Sequence, residues 1–412
     1  MRTQQNRTPR RSAIGALAAV LLAVPAAARA DEPSPWYIGA SQAFTHDSNV
    51  YRIAGGPGDT YSTTSLLGGF DQPIGRQRLY ANAQVGFSKY RDQSTLDNTS
   101  YGVTAGWDWA TIEKLSGSVN VGANRSLAQF NGNSLQSSTE RNTLKAEQLN
   151  AAVRWGGDGL ISLFGNYGHS RVDYSSLQSL SSDSTSDSGS IGMNYRLGAR
   201  TTVGAAVRVT HTDYPHGIAP AGAGSVDPAA YRSDSSRGRN LDLLAGWRYS
   251  EQTGFSARLS WTRLDYSSSN RDFSGLTGSV SGTYAATAKL GFSATLSRDA
   301  GTNNSYLNYL DLGTGRQNVY VLANNQTTDS VSLGASYAAT AKIGVNAGFQ
   351  YRRGDNGSGS ASDNYRTATL GANYAVARNV QLACNLSRES RSAGVSSYDA
   401  NVVGCSAQIT LR

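Results

Sequence analysis

The sequence predicts an all-β protein: a transmembrane, antiparallel, up-and-down β-barrel of about eighteen strands, with short periplasmic turns and long extracellular loops. Three observations predict it. Apolar and polar residues alternate strictly, as where Leu79, Ala81, Ala83, Val85 and Phe87 share one face and Tyr80, Asn82, Gln84, Gly86 and Ser88 the other. A period of two is that of a strand. Such segments, each of about ten residues, recur between turn signals along nearly the whole chain. The links between them alternate between short and long.

The first element is a leader. Arg2, Arg7, Arg10 and Arg11 form a charged start, residues 13–27 an apolar core, and Ala28-Arg29-Ala30 a small-x-small site before Asp31. This is the pattern of a secretory signal, too short for a membrane anchor. The expected division is therefore 1–30 signal peptide and 31–412 outer-membrane barrel of a Gram-negative bacterium. Five of the 37 basic residues and none of the 29 acidic ones lie in the leader, so the remainder carries only +3. That balance gives no support to nucleic-acid binding. Mean hydropathy is −0.40, a value usual for soluble proteins. A barrel reconciles it with a membrane, because only alternate residues meet lipid.

Eighteen segments read as strands: 36–46, 60–70, 78–90, 100–110, 115–129, 146–155, 160–172, 188–197, 201–213, 239–249, 254–265, 274–284, 289–298, 328–337, 342–352, 365–374, 379–388 and 398–411. In 100–110 the outward residues are Tyr101, Val103, Ala105, Trp107 and Trp109; in 239–249 they are Leu241, Leu243, Ala245, Trp247 and Tyr249. Segment 60–70 and the stretch 299–325 carry the weakest pattern. Tight links follow the even-numbered segments, at 71–77, 111–114, 156–159, 198–200, 250–253, 285–288, 338–341 and 376–378. Long links rich in Ser, Asn, Asp and Gly follow the odd ones, among them 131–145, 174–187, 214–238, 299–325 and 353–364. Both ends of the barrel then fall on the short-turn rim. Trp109, Trp155, Tyr195, Trp247, Tyr249, Tyr284, Tyr337 and Tyr374 collect beside the tight links with outward parity, as an interfacial belt does. The string Tyr284-Ala-Ala-Thr-Ala-Lys289 recurs as Tyr337-Ala-Ala-Thr-Ala-Lys342, which fits either hairpin duplication or shared turn chemistry. Backbone amides in lipid need internal partners, so 398–411 is expected to pair with 36–46 and close the sheet around a lumen.

Few residues could carry chemistry. Cys384 and Cys405 both have outward parity. One register faces them and also aligns Leu386 with Val403 and Leu382 with Ala407, so a structural disulfide is expected in an oxidising periplasm. The alternative is two free thiols acting as small apolar residues. Arg154, Arg196, Arg208, Arg248 and Arg258 share inward parity and would form a basic lumen wall attracting anions, unless neighbours such as Asp242 pair with them. His46, His169, His211 and His216 are scattered without metal-ligand spacing, and no nucleophile–base arrangement is visible. No cofactor, metal or catalytic residue is expected.

The segment Asp47-Ser48-Asn49-Val50-Tyr51-Arg52 resembles the D-x-N-(V/L)-(Y/F)-R element of the β-barrel porin 2 family. The whole mature chain resembles its EpsL-like branch, outer-membrane barrels of exopolysaccharide biosynthesis operons. Supporting strings are Arg78-Leu79-Tyr80-Ala81-Asn82, Tyr101-Gly102-Val103-Thr104-Ala105-Gly106-Trp107 and Val402-Val403-Gly404-Cys405-Ser406-Ala407-Gln408. The last residues, Thr410-Leu411-Arg412, depart from the aromatic ending of many such barrels, although Ile409 and Leu411 keep the alternation. The resemblance implies a role in assembly or export of exopolysaccharide across the outer membrane. Exopolysaccharide itself, a polysaccharide export protein and outer-membrane lipid and lipopolysaccharide are the implied partners. A diffusion porin for small solutes, anionic ones included, and a structural barrel that anchors surface polymer are the alternatives. In a porin, 214–238 and 299–325 are the loops expected to fold inward.

Overall fold

A computed structural model describes residues 34–128, 139–157, 159–218, 231–268, 272–301, 307–311, 316–320, 327–355, 363–392 and 397–412. The expected leader and its cut lie outside the described residues. Eighteen strands form one antiparallel sheet: β1 (Trp36–Asp47), β2 (Asp59–Ile74), β3 (Gln77–Tyr90), β4 (Asn98–Ala110), β5 (Leu115–Leu127), β6 (Thr143–Trp155), β7 (Ile161–Tyr174), β8 (Ser184–Leu197), β9 (Thr201–Ile218), β10 (Arg232–Arg248), β11 (Thr253–Tyr266), β12 (Phe273–Ala285), β13 (Leu290–Ala300), β16 (Thr327–Ala338), β17 (Ile343–Asp355), β18 (Asp363–Ala377), β19 (Val380–Ser392) and β20 (Tyr398–Leu411). The remaining two, β14 (Leu307–Asp311) and β15 (Arg316–Tyr320), make a separate hairpin within the stretch 299–325. Each sheet strand pairs with its successor, β13 pairs with β16, and β20 pairs with β1 from Ile38–Leu411 to Asp47–Val402. The ring is closed, so no strand edge is left in hydrocarbon.

The alternation sets the two faces. On β10, Arg237, Arg239, Leu241 and Leu243 are exposed while Ser236, Gly238, Asn240 and Asp242 between them are buried. Leu79, Val121 and Leu243 all face outward and are exposed, as lipid-facing residues must be. Among the described residues there is no central apolar core; the small apolar clusters, such as Ala128, Leu144, Ala146 and Val172, sit toward the long-loop rim. Outward aromatics ring the short-turn rim, where Trp247 packs against Tyr249 and Phe255 with centroids 5.2 and 5.7 Å apart. Even strand number, short turns, long opposite loops and an aromatic girdle make this an outer-membrane-type barrel.

Local chemistry explains the tight turns. Gly75, between β2 and β3, has φ of 62°, a left-handed conformation that glycine adopts without steric cost. The repeated Tyr-Ala-Ala-Thr-Ala-Lys string is one turn built twice. The Thr287 hydroxyl accepts from the amides of Lys289 and Leu290, at 3.1 and 3.0 Å. Thr340 does the same for Lys342 and Ile343 at the same two distances.

Two expected loop stretches prove to be partly strand. β9 runs to Ile218 and β10 starts at Arg232, so the ends of 214–238 belong to the ladder, with a register shift between Arg232 and Asp234. Pro215, which has no amide to donate, lies in the unpaired part of that bulge. β8 likewise starts at Ser184 rather than 188. The cause is physical. Beyond the lipid both faces are wet, so the apolar–polar contrast ends while backbone pairing continues. The inward fold expected for 214–238 and 299–325 falls largely on 219–230 and 302–326, outside the described residues except for the β14–β15 backbone.

Cys384 stands directly across from Cys405, with Cα atoms 4.1 Å apart and the sulfurs bonded. The flanking pairs are Leu386–Val403 and Leu382–Ala407. Both cysteines lie on the exposed outer face, beside the seam where β20 meets β1.

Candidate functional site

The inner wall is mainly hydroxyl, amide and glycine. β16 turns Thr328, Ser330, Ser332, Gly334 and Ser336 inward, and β13 turns Ser293, Thr295 and Ser297. These groups bond across strands. Ser297 and Ser330 are 2.7 Å apart, Ser281 and Thr295 3.0 Å, and Thr262 lies 2.6 Å from both Asn240 and Thr277. Nearer the short-turn rim, the Tyr37 and Tyr80 hydroxyls donate to Asn82 and Asn120. Tyr80 lies over Gly106, where a Cβ would meet its ring at 2.2 Å. A hydroxyl accepts and donates, so this wall can replace the water around any polar solute.

The five inward arginines divide into two groups by depth. Arg154, Arg196 and Arg248 sit at the short-turn ends of β6, β8 and β10. Arg208 and Arg258 lie deeper and each meets a carboxylate. The Arg208 guanidinium grips Asp242 with both ends, at 3.1 and 3.2 Å, and Arg258 approaches Asp299 to 3.5 Å. Among the described residues the mid-depth wall is therefore balanced, two cations against two anions. Parity alone places Asp242 on the wall; it does not say that Asp299 reaches Arg258.

The motif residues build the outer mouth. Asp47, Asn49, Val50, Tyr51 and Arg52 are all buried. Arg52 has φ of 54° and is the one non-glycine with positive φ among the described residues. That conformation costs energy for a side chain with a Cβ, and the surroundings hold it. The guanidinium donates to both Asp47 oxygens at 2.9 and 2.8 Å and to Glu389 on β19 at 2.8 Å, and also to the Asn49 carbonyl. Burial alone would pull the Arg52 pKa down, but the two carboxylates hold it above its ordinary value. Asn49 takes the Ile53 amide at 3.2 Å and donates to the carbonyls of Ile53 and Asp399, at 2.7 and 3.1 Å. Tyr51 donates to Gln93 at 2.9 Å and packs with Val50 and Leu96. The link between β1 and β2 is thus tied inward across β20 to β19 and sideways to the link after β3. Beside it Arg391 forks onto Asp363 at 2.9 and 2.6 Å, and Arg352 lies 5.2 Å from the Tyr365 ring centre. Strand parity marks Glu389 only as an inward side chain; nothing in the sequence points it at Arg52.

The four histidines stay apart. His46 lies 3.0 Å from Thr60, His169 2.9 Å from Asp187, His211 3.3 Å from Asp213 and His216 3.4 Å from Asp183. Among the described residues no group of three metal-ligating side chains occurs.

No family model matches this sequence, and no curated protein matches it. Solved structures align over most of the chain. OccK2 (OpdF) of Pseudomonas aeruginosa, in complex with glucuronate, is 12% identical with a TM-score of 0.48, covering 92% of this chain and 98% of that one. OpdQ of the same organism is 11% identical with a TM-score of 0.47, covering 93% and 100%. The ferric enterobactin receptor PfeA, also of P. aeruginosa, is 9% identical with a TM-score of 0.46, covering 92% and 81%. Proteins with such different names align about equally well, so these similarities assign no solute to this chain.

Proposed function

We propose that the barrel is a passive conduit through an outer membrane for uncharged, hydrophilic solutes of the saccharide class. The observation that carries this reading is the mid-depth wall: rows of Ser, Thr, Asn and Gln with Arg208 and Arg258 each opposed by an aspartate. Hydroxyls and amides offer a sugar the same hydrogen bonds as water, so entry costs little. Paired charges set up little net field, so neither ion sign is concentrated. The three arginines at the short-turn rim add at most a local preference for anions at the inner end.

A second reading has a specific support of its own. The resemblance of residues 47–52 to the D-x-N-(V/L)-(Y/F)-R element favours passage of a long saccharide, exopolysaccharide, handed on by a periplasmic or outer-membrane polysaccharide export protein. The same wall would serve a polymer strand.

Liposome swelling with reconstituted protein tests the first reading. Neutral mono- and disaccharides should enter faster than charged solutes of equal size. Equal exclusion of all sugars would overturn it. Deleting the gene and weighing secreted polymer tests the second: a fall in polymer supports export, and undiminished polymer with sugar-permeable liposomes leaves the diffusion conduit alone.

A further inference from the structure

On the outer face, β10 and β11 set two arginines directly against each other. Arg239 pairs in register with Arg263, one rung beyond Leu241–Trp261 and two beyond Leu243–Leu259. Those four apolar side chains are exposed to more than half of their surface, so the arginine pair is the first charged rung past the lipid-facing band. It lies toward the long-loop rim. Arg237 stands on the same face one rung further, across from Asp265 and His211. Ser274 of β12 adds a hydroxyl across from Arg263.

Facing cations on a ladder repel. Elsewhere on this girdle several cations have an acid beside them: Lys145, which faces Arg125, has Glu147 at 2.7 Å, Arg171 has Asp173 at 3.0 Å and Arg298 has Asp329 at 3.7 Å. Here Asp265 serves Arg263 at 3.0 Å, and Arg237 and Arg239 have no ion pair among the described residues. Asp272 also lies close enough to act on Arg263, so three cations meet two carboxylates, still a local excess of positive charge at the depth where acyl chains give way to headgroups. We propose that Arg237, Arg239 and Arg263 form a docking site for a phosphate of an outer-leaflet phosphorylated glycolipid, whose acyl chains lie over Leu241 and Trp261. The fork of a guanidinium suits a phosphate, and an anion between Arg239 and Arg263 turns their repulsion into attraction.

The test uses the full barrel, folded in detergent and stripped of lipid, with binding read by native mass spectrometry. Bisphosphorylated lipid A should bind, and its dephosphorylated form should bind far more weakly. Millimolar inorganic phosphate should not compete; if it displaces the lipid fully, the site recognises free phosphate and the lipid assignment is overturned. In R239Q/R263Q the affinity should fall roughly thirtyfold, at roughly fivefold per cation near an anionic surface. Arg388→Gln, on the outer face of β19, should leave binding unchanged. A heat-dependent gel shift verifies that each variant is folded. A second readout does not depend on affinity. R239Q should unfold no earlier than wild type without lipid, because a repulsion is gone, and earlier than wild type with lipid A present. Wild-type binding by the double variant, equal loss in Arg388→Gln, or R239Q unfolding early without lipid would each overturn the proposal.

Discussion

Two parts of the inner surface use the same ion-pair chemistry to opposite ends. At the outer mouth, the Arg52 side chain is 7% exposed and its partners Asp47 and Glu389 11% and 5%. At mid-depth, Arg208 is 27% exposed against a buried Asp242 at 6%, while Arg258 and Asp299 are 30% and 34% exposed. The buried group must be paired, because an isolated charge out of water is strongly unfavourable. Its pairing fixes a strained backbone and holds a loop against the wall at the mouth. The Arg258–Asp299 pair, wetted on both sides, does little for stability, but like Arg208–Asp242 it cancels charge along the path a solute takes. Burial therefore decides whether an ion pair in this barrel is a fastening or part of the lining.

The largest expected effect comes from breaking the fastening. Arg52→Ala leaves two buried carboxylates unopposed and should lower unfolding stability by about 3–5 kcal/mol, measured by denaturant titration in detergent. The same variant should widen the mouth and raise single-channel conductance. A loss below about 1 kcal/mol, the level of an exposed pair, would erase the contrast. Reducing the Cys384–Cys405 bond comes next. It staples β19, which carries Glu389, to the closing strand, so reduction should cost about 3 kcal/mol and change mobility on a non-reducing gel. In the wetted region Asp299→Asn should cost only about 1 kcal/mol, yet shift the reversal potential toward anions, since Arg258 is then unopposed. Smallest is Thr340→Ala, which removes a side-chain acceptor from one tight turn and should cost about 0.5–1 kcal/mol, seen as a slightly earlier melt with unchanged conductance.

The alternation of residues such as Leu79 to Ser88 made every barrel strand legible, because lipid and water impose opposite demands on adjacent side chains. Closure of β20 on β1 and the Cys384–Cys405 register followed from the same parity. Strand ends were not legible. From Tyr214 to Ile218 both faces meet water, and no contrast marks the ladder. Pairing across adjacent strands, as between Arg208 and Asp242, can be anticipated from parity. Pairing that depends on a loop cannot. Arg52 meets Glu389 337 positions away, and only the fold of residues 48–58 brings them together. The motif at 47–52 was visible as a resemblance, but its work as a knot of buried polar groups was not.

The most direct measurement of the charge-balanced lumen is the reversal potential of single channels across a planar bilayer under a tenfold potassium chloride gradient. A value near zero, with current transiently reduced when neutral oligosaccharide is added to one side, is the predicted result. A potential near the limit for a pure anion channel, or no conductance in protein shown to be folded, would contradict it.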